Sequence, residues 1–301
     1  MTAFARLGGE SMGTSWSVQC DDADGRDLHA LHAEIEECLS LVVAQMSTWE
    51  AESEISRFNA SPAGTWQKLS PEIWQVLSCA QLIAALSDGA FDATVGAKVA
   101  RWGFGAHAFE DFAHSNVTYR DLEMDSSERA ILQTGGMQLD LSAIAKGYSA
   151  DLIAARLMDL GARSMLVDVG GELRAVGDSP RGGAWNVLLE SDQSSDPCVV
   201  ALKDCAIATS GDRFFRHEIQ GRSVSHTIDP RNGEPINDET AQVSVIAESA
   251  MLADGWATAL AVMGVEHGVA FANAQGLAVR YTTGDGEVSC SDAFKPYEVD
   301  A

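Results

Sequence analysis

The chain has 301 residues, of which 46% are hydrophobic, and a formal net charge of -24. This apolar content excludes global disorder, and the length allows two ordinary domains or one large one. Phosphate backbones and anionic membranes attract proteins through Lys and Arg. We therefore expect no nucleic-acid partner.

The predicted elements follow from hydrophobic spacing and from turn residues. In chain order they are a strand at 15–19, helices at 27–46, 71–87 and 148–160, strands at 165–169, 173–176, 185–189, 199–202 and 205–208, a turn at 229–233, a strand at 243–247 leading into a helix around residue 254, a helix at 265–273, and a strand at 277–282. Strands and helices mix without regular βαβ alternation, which favours the α+β class with a largely antiparallel sheet and flanking helices. No repeat or linker divides the chain, so we expect one domain over 1–301, or two closely packed subdomains.

The six cysteines are scattered and form no C-x-x-C pair. This pattern favours small buried hydrophobes or surface thiols over a zinc site, and it leaves disulfides open. The N-terminus shows no signal-peptide pattern, and no run of about 18 apolar residues predicts a transmembrane helix. We expect a cytoplasmic protein. A periplasmic or membrane-anchored location stays open if a leader precedes this sequence.

Asp254 and Thr258 lie four residues apart in a segment of good helix formers. Positions i and i+4 share one face of a helix, so both side chains can contact one ligand. Two hard oxygen ligands suit Mg²⁺, which keeps several waters and binds beside phosphates. Taken alone, the pair is more typical of the solvated edge of an amphipathic helix.

Glycine-rich segments recur beside polar residues. Asp88 to Asp92 precedes an aromatic–glycine run at 102–105, and a strand ends in Gly170-Gly171 before Glu172. Such glycines allow close approach of the backbone to a ligand, or simply a tight turn. The hydroxyl-rich run Thr209 to Asp212 indicates either a contact to a phosphate or ribose, or a turn.

Two further segments carry ionisable groups. Asp140 precedes a small-residue loop that contains Lys146 and opens the helix predicted from Tyr148, where an anion would be favoured. The P-loop spacing is absent. His226 lies in a Ser-His-Thr-Ile-Asp-Pro run, and histidine is the side chain best suited to acid–base chemistry near neutral pH, although a lone histidine is more often structural.

In this order the segments closely resemble the ApbE family of FAD:protein FMN transferases. The motifs that carry the resemblance are Met12-Gly-Thr14, Asp88-Gly-Ala-Phe-Asp92, Trp102-Gly-Phe-Gly105, Asp140-Leu-Ser-Ala-Ile-Ala-Lys-Gly-Tyr148, Asp168-Val-Gly-Gly171, Thr209-Ser-Gly-Asp212, Ser225-His-Thr-Ile-Asp-Pro230 and Ala253-Asp-Gly-Trp-Ala-Thr258. Each motif is weak alone, but their shared order is specific. They span about residues 12 to 264.

The resemblance implies an ApbE-like, T-fold-related architecture that binds FAD and Mg²⁺. The implied metal ligands are the Asp254 carboxylate, the Thr258 hydroxyl and the backbone carbonyl of Ala143. The implied flavin contacts are Met12, Ala90, Phe91, Asp92, Asp140, Lys146 and Ile228. The implied partner is a target flavoprotein with a Thr or Ser acceptor motif, to which FMN is transferred as a phosphoester with release of AMP.

Mg²⁺ and Lys146 would supply the positive charge that a chain of net charge -24 otherwise lacks. His226 is the expected general base, with Asp229 as the second choice, and Asp254 is expected in catalysis as a metal ligand. Some relatives carry a second carboxylate where this chain has Ala257, which favours one metal and transfer rather than hydrolysis. An FAD pyrophosphatase and a non-catalytic FAD-binding protein are the alternatives.

Overall fold

The computed structural model describes residues 4–21, 25, 27–106, 116–189, 198–211, 216–219, 222–236 and 240–299. Every pairing between strands in this part of the chain is antiparallel. The predicted α+β class with largely antiparallel sheets is therefore confirmed.

The helices are α1 (Leu28–Met46), α2 (Glu54–Ala60), α3 (Pro71–Leu86), α4 (Gly96–Arg101), α5 (Ser142–Asp159), α6 (Ala250–Met263) and α7 (Val265–Gln275). The strands are β1 (Phe4–Ser11), β2 (Thr14–Asp21), β3 (Thr65–Lys68), β4 (Met124–Asp125), β5 (Ala130–Gln133), β6 (Met165–Val169), β7 (Glu172–Val176), β8 (Trp185–Leu189), β9 (Cys198–Leu202), β10 (Ala206–Gly211), β11 (Arg216–Ile219), β12 (Arg222–Ser225), β13 (Ile228–Asp229), β14 (Glu234–Pro235), β15 (Thr240–Ala247), β16 (Ala278–Thr283), β17 (Val288–Cys290) and β18 (Glu298–Val299). Within the described residues, no helix is both long and apolar enough to cross a membrane.

The chain divides into two compact units, each assembled from separate stretches of sequence. Unit 1 comprises residues 1–40, 146–211 and 238–301, and unit 2 comprises residues 41–145 and 212–237. Helices α1 and α5 each begin in one unit and end in the other.

Unit 1 is built on an eight-stranded sheet with the order β1-β2-β6-β7-β10-β15-β16-β17. Side chains of β2 and β6 alternate, so that Trp16, Val18 and Val167 are buried in one apolar cluster with residues of α1 and α5. A second cluster contains Ile207 and Ile246 of the sheet together with Trp185 and Val200 of the smaller β18-β9-β8 sheet. The large sheet is therefore buried on both faces.

Unit 2 combines small sheets with short helices. The strands form the order β3-β5-β4 and two separate hairpins, β11-β12 and β13-β14. Its core includes Ile55, Phe58, Ile73, Leu77 and Ile131, each at most 2% exposed. Amphipathic α3 begins at Pro71, a residue whose fixed φ suits the first helical position.

Most predicted elements agree with the structure to within a few residues at each end. Three predictions need correction. The helix predicted from Tyr148 begins at Ser142, because the Asp140 carboxylate accepts hydrogen bonds from the Ser142 N–H at 2.9 Å and from the Ser142 hydroxyl. The expected small-residue loop is thus the first turn of α5. Residues 209–211 are not a turn but the end of β10, and Asp212 lies outside the described residues. The sequence analysis also left out several elements altogether, among them β1, β3, β5, α2 and α4.

Candidate active site

Asp254 and Thr258 lie on α6 of unit 1, one turn apart as predicted. The helix is capped at its start by Ser249, whose hydroxyl accepts the Leu252 N–H, and it ends before Gly264. Asp254 is only 6% exposed, whereas Thr258 is half-buried. Burial raises the pKa of the Asp254 carboxyl, and the nearby Lys146 ammonium and the Gly147 N–H oppose this effect.

Gly147 allows α5 to approach α6 closely. Its backbone N–H donates to Asp254 Oδ2 at 3.0 Å. A Cβ at this position would overlap the carbonyl oxygen of Ala250 and would lie 2.8 Å from Asp254 Cβ. Glycine is therefore required for the contact that orients the carboxylate.

Lys146, the residue before, pairs with Glu172 of β7. Lys146 Nζ donates to Glu172 Oε1, and the two side chains are 33% and 3% exposed. Burial works to lower the pKa of Lys146, but the carboxylates of Glu172 and Asp254 outweigh it, and the pKa is raised. Lys146 is thus a charged residue whose ammonium is already shared with an acid.

Glu172 is the important site residue that the sequence analysis did not assign. Burial raises its pKa to about 8, against the opposing effect of Lys146. Its second oxygen, Oε2, is buried and has no hydrogen-bond partner among the described residues. The signal in the sequence was the acid directly after Gly170-Gly171, a segment that we interpreted as a close approach of the backbone to a ligand or as a tight turn.

The cluster around Lys146 has a surplus of negative charge. Glu172, Asp254 and Asp168 all act on the one ammonium. Asp168 also accepts the Gly171 N–H at 2.9 Å and so closes the β6–β7 turn. In the described residues no three His, Cys, Asp or Glu side chains converge as a metal site. The ligand set implied by the resemblance contains only one such side chain, Asp254.

Met12 lies at the tip of the β1–β2 hairpin in unit 1. Met12 has a φ of +51° and Gly13 a φ of +72°, as a tight two-residue hairpin turn requires. Ser149 of α5 donates its hydroxyl to Met12 Sδ at 3.8 Å. Unit 1 therefore brings Met12, Lys146, Glu172 and Asp254 to neighbouring positions along α5.

In unit 2 the predicted Ala90, Phe91 and Asp92 are all buried, at 5% exposure or less. Asp92 Oδ1 accepts the N–H and the hydroxyl of Thr94, and Oδ2 accepts the Tyr119 N–H at 2.9 Å. Burial raises the pKa of Asp92, and these bonds to Thr94 and Tyr119 oppose it. Both oxygens are therefore occupied within the fold.

Asp140 lies next to this segment, because its N–H donates to the Ala93 carbonyl at 2.8 Å. A cleft in unit 2 is lined by Asp140 together with Asn59, Phe104 and Gly105. The Asn59 amide holds the backbone of Leu139 by two hydrogen bonds of 2.8 and 2.9 Å. Phe104 and Gly105 of the aromatic–glycine run thus line a cleft rather than only filling a core.

His226 and Ile228, also in unit 2, precede a turn at 229–233. Three side chains, from α4 and from Trp102, donate hydrogen bonds to backbone carbonyls of this turn. Lys98 donates to the Pro230 carbonyl at 2.7 Å, while Arg101 and Trp102 donate to the Gly233 carbonyl at 3.0 and 2.7 Å. His226 is half-buried and Ile228 is 5% exposed.

Asp229, the second choice of base, forms a two-pronged ion pair with Arg231 at 2.9 Å for each bond. Both Asp229 oxygens are therefore occupied by Arg231.

Comparison with known proteins shows the class to which this fold and site belong. A solved structure of the flavinyl transferase ApbE from Pseudomonas stutzeri, in its apo form, superposes with a TM-score of 0.90 at 33% sequence identity, covering 100% of this chain and 98% of that chain. The FAD:protein FMN transferase of Vibrio cholerae is 36% identical over 97% of this chain and 92% of its own length. That of Haemophilus influenzae is 34% identical over 98% and 91%.

The family model of the ApbE family matches residues 12–281. The chain belongs to the ApbE family.

Proposed function

We propose that this protein transfers FMN from FAD to a Thr or Ser hydroxyl of a target flavoprotein, forming a phosphoester and releasing AMP, with the help of Mg²⁺. The observation that carries the proposal is the buried cluster of Lys146, Glu172 and Asp254 on α5, β7 and α6. Relatives that cover nearly the whole chain bear the name of this activity.

The residues present fit a divalent cation. Asp254 Oδ2 accepts the Gly147 N–H, while its Oδ1 makes no hydrogen bond to a described residue and can bind a metal. Three carboxylates compete for one ammonium, and their pKa values are raised by burial, so a cation would relieve the surplus charge. Mg²⁺ would be held by Asp254, Thr258 and the Ala143 carbonyl, and it would neutralise the charge that develops on the AMP leaving group.

The remaining roles fall to binding and proton transfer. Lys146 would contact the phosphates, with Glu172 fixing its position, and Met12 would contact the flavin. Ala90, Phe91, Asp92, Asp140 and Ile228 would contribute further flavin contacts. Because the carboxylates of Asp92 and Asp140 are engaged within the fold, their segments would act mainly through shape and backbone groups.

His226 would take the proton from the acceptor hydroxyl as that oxygen attacks the FMN phosphorus. The bond from phosphorus to the AMP oxygen breaks, and AMP leaves. Ala257, which is fully buried, occupies the position where a second carboxylate would favour a second metal and water as the acceptor.

Mass spectrometry of a candidate acceptor domain, incubated with this protein, FAD and Mg²⁺, tests the proposal. The expected result is a mass increase of one FMN phosphoester that is lost with EDTA and lost when the acceptor Thr is replaced by Ala. Free FMN and AMP with an unmodified acceptor would instead show an FAD pyrophosphatase. Absence of both products across a panel of acceptors would leave a flavin-binding protein.

A further inference from the structure

Arg280 of β16 is a buried cation that the proposed reaction does not use. It is 6% exposed and is the sole Lys or Arg among the buried residues of the described chain. A guanidinium stays protonated in proteins, so burial cannot be relieved by loss of the charge. A buried charge is costly unless it is paired.

The guanidinium has few partners. Nη1 donates to Thr282 Oγ1 at 2.8 Å, whereas Nε is buried and has no hydrogen-bond partner among the described residues. No carboxylate of the described chain forms an ion pair with Arg280, although several exposed arginines have one. This contrast is marked in a protein with a net charge of -24.

The residues beside Arg280 in the sheet do not supply a negative charge. Ser244 of β15 and Cys290 of β17 are its register neighbours. The Ser244 hydroxyl bonds to Thr209 at 2.9 Å. Burial, aided by Glu298, raises the pKa of the Cys290 thiol to about 11, so the thiol is neutral at pH 7. Glu298 itself is within 3.8 Å of Cys198 Sγ.

Arg280 lies on the face of the sheet opposite α6. Side chains of adjacent residues in a strand point to opposite faces. Tyr281, the next residue, donates its hydroxyl to the Leu260 carbonyl of α6 at 2.8 Å. Arg280 is therefore separated by the sheet from the helix that carries Asp254.

We propose that Arg280 is an anion-binding site for an oxyanion of the carboxylate or phosphate type. The hydrogen bond from Nη1 to Thr282 fixes the plane of the guanidinium and leaves the Nε–Nη2 edge as the donor pair. This edge presents two parallel N–H groups, the geometry that carboxylate and phosphate oxygens accept in a bidentate manner. The anion compensates the buried charge and stabilises unit 1.

Thermal unfolding of the full chain tests the site, with inorganic phosphate or acetate replacing chloride at equal ionic strength and pH, without FAD or Mg²⁺. An anion at a few times its Kd is expected to raise Tm by about 2–4 °C. Arg280→Met keeps the length of the side chain but removes the charge, and it is expected to lose this rise in Tm. Arg280→Lys keeps the charge but lacks the paired N–H groups of the guanidinium, and it is expected to lose most of the rise. A larger rise with phosphate than with acetate identifies a phosphate-type ligand, and the reverse identifies a carboxylate.

Two control variants separate this site from other cations of unit 1. Lys146→Met removes the cation proposed to contact the flavin phosphates, and Arg163→Met removes an exposed arginine. Both should keep the full anion response. No anion-specific rise in the wild type would overturn the proposal. So would an equal rise in either Arg280 variant, or loss of the rise in Lys146→Met alone.

Discussion

Two groups of acids, one in each unit, are used in opposite ways. In unit 2 the Asp92 and Asp229 carboxylates are each satisfied on both oxygens by neighbours within the fold. In unit 1 the carboxylates around Lys146 outnumber their partners, and Glu172 Oε2 has none among the described residues. Acids whose oxygens are all hydrogen-bonded stabilise the local fold. Buried acids with an oxygen that lacks a partner can bind a cation or a hydrogen-bond donor. The comparison predicts that substitutions of the unsatisfied acids in unit 1 act mainly on ligand chemistry, and that substitutions of the satisfied acids in unit 2 act mainly on stability.

Asp254→Asn should have the largest effect. The amide keeps the size of the side chain but removes the charge proposed to bind Mg²⁺, so the rate of FMN transfer should fall about 10²–10³-fold. AMP release at several Mg²⁺ concentrations measures the loss. Glu248→Gln, at an exposed acid just before α6, should leave the rate unchanged. Unchanged Mg²⁺-dependent turnover in Asp254→Asn would show that this acid is not a metal ligand.

The position of Asp254 and Thr258 on one face of a helix was predictable, because helical spacing is a local property of the sequence. The start of α5 was not, since a side-chain bond from Asp140 to Ser142 sets it, and the small residues that follow suit a loop as well as a helix. The partner of Lys146 was also beyond local reasoning. Glu172 is 26 residues away and is brought back by the Gly170-Gly171 turn.

The turn at 229–233 gives a second example of what sequence patterns leave out. Its residue types predicted the turn itself. The side chains that hold it come from Lys98, Arg101 and Trp102, about 130 residues earlier. Charged and aromatic residues in that segment fit many environments, so only the tertiary structure shows that they donate to turn carbonyls.

Lys146→Met should weaken FAD binding by about 1–3 kcal/mol, the usual range for a charge-assisted hydrogen bond. Titration of FAD by calorimetry measures the change. Lys203→Met is the matched control, because Lys203 is an exposed lysine of unit 1 paired with Asp178. An FAD dissociation constant equal to that of the wild type would show that the ammonium serves only Glu172.

Asp92→Asn tests the other side of the comparison. The amide has only one acceptor oxygen, and its NH₂ group would face N–H donors that bond to the carboxylate in the wild type. The free energy of unfolding should therefore fall by about 1–3 kcal/mol. Urea denaturation measures it. Asp88→Asn, at a side chain that is 88% exposed, should change stability far less. A loss of turnover in correctly folded Asp92→Asn, at saturating FAD, would contradict a purely structural role for this acid.

The last effect should be a pH dependence that belongs to Glu172. Burial raises its pKa from 4.5 to about 8, so the folded state holds this proton more tightly than the unfolded state. The contribution of Glu172 to stability is therefore complete below about pH 4.5 and is lost as the pH rises through about 8. Lys146, whose pKa is raised above 10.5, stays charged over this window.

Glu172→Gln should consequently gain stability relative to the wild type as the pH rises from 5 to 8. Urea denaturation at each pH, without added metal, measures the difference. The exposed Glu266→Gln should show a constant difference from the wild type over the same range. If Glu172→Gln also gives a constant difference, Glu172 is ionised throughout the window. The surplus of charge around Lys146 would then be present even at pH 5, and the demand for a cation in unit 1 would be greater than proposed here.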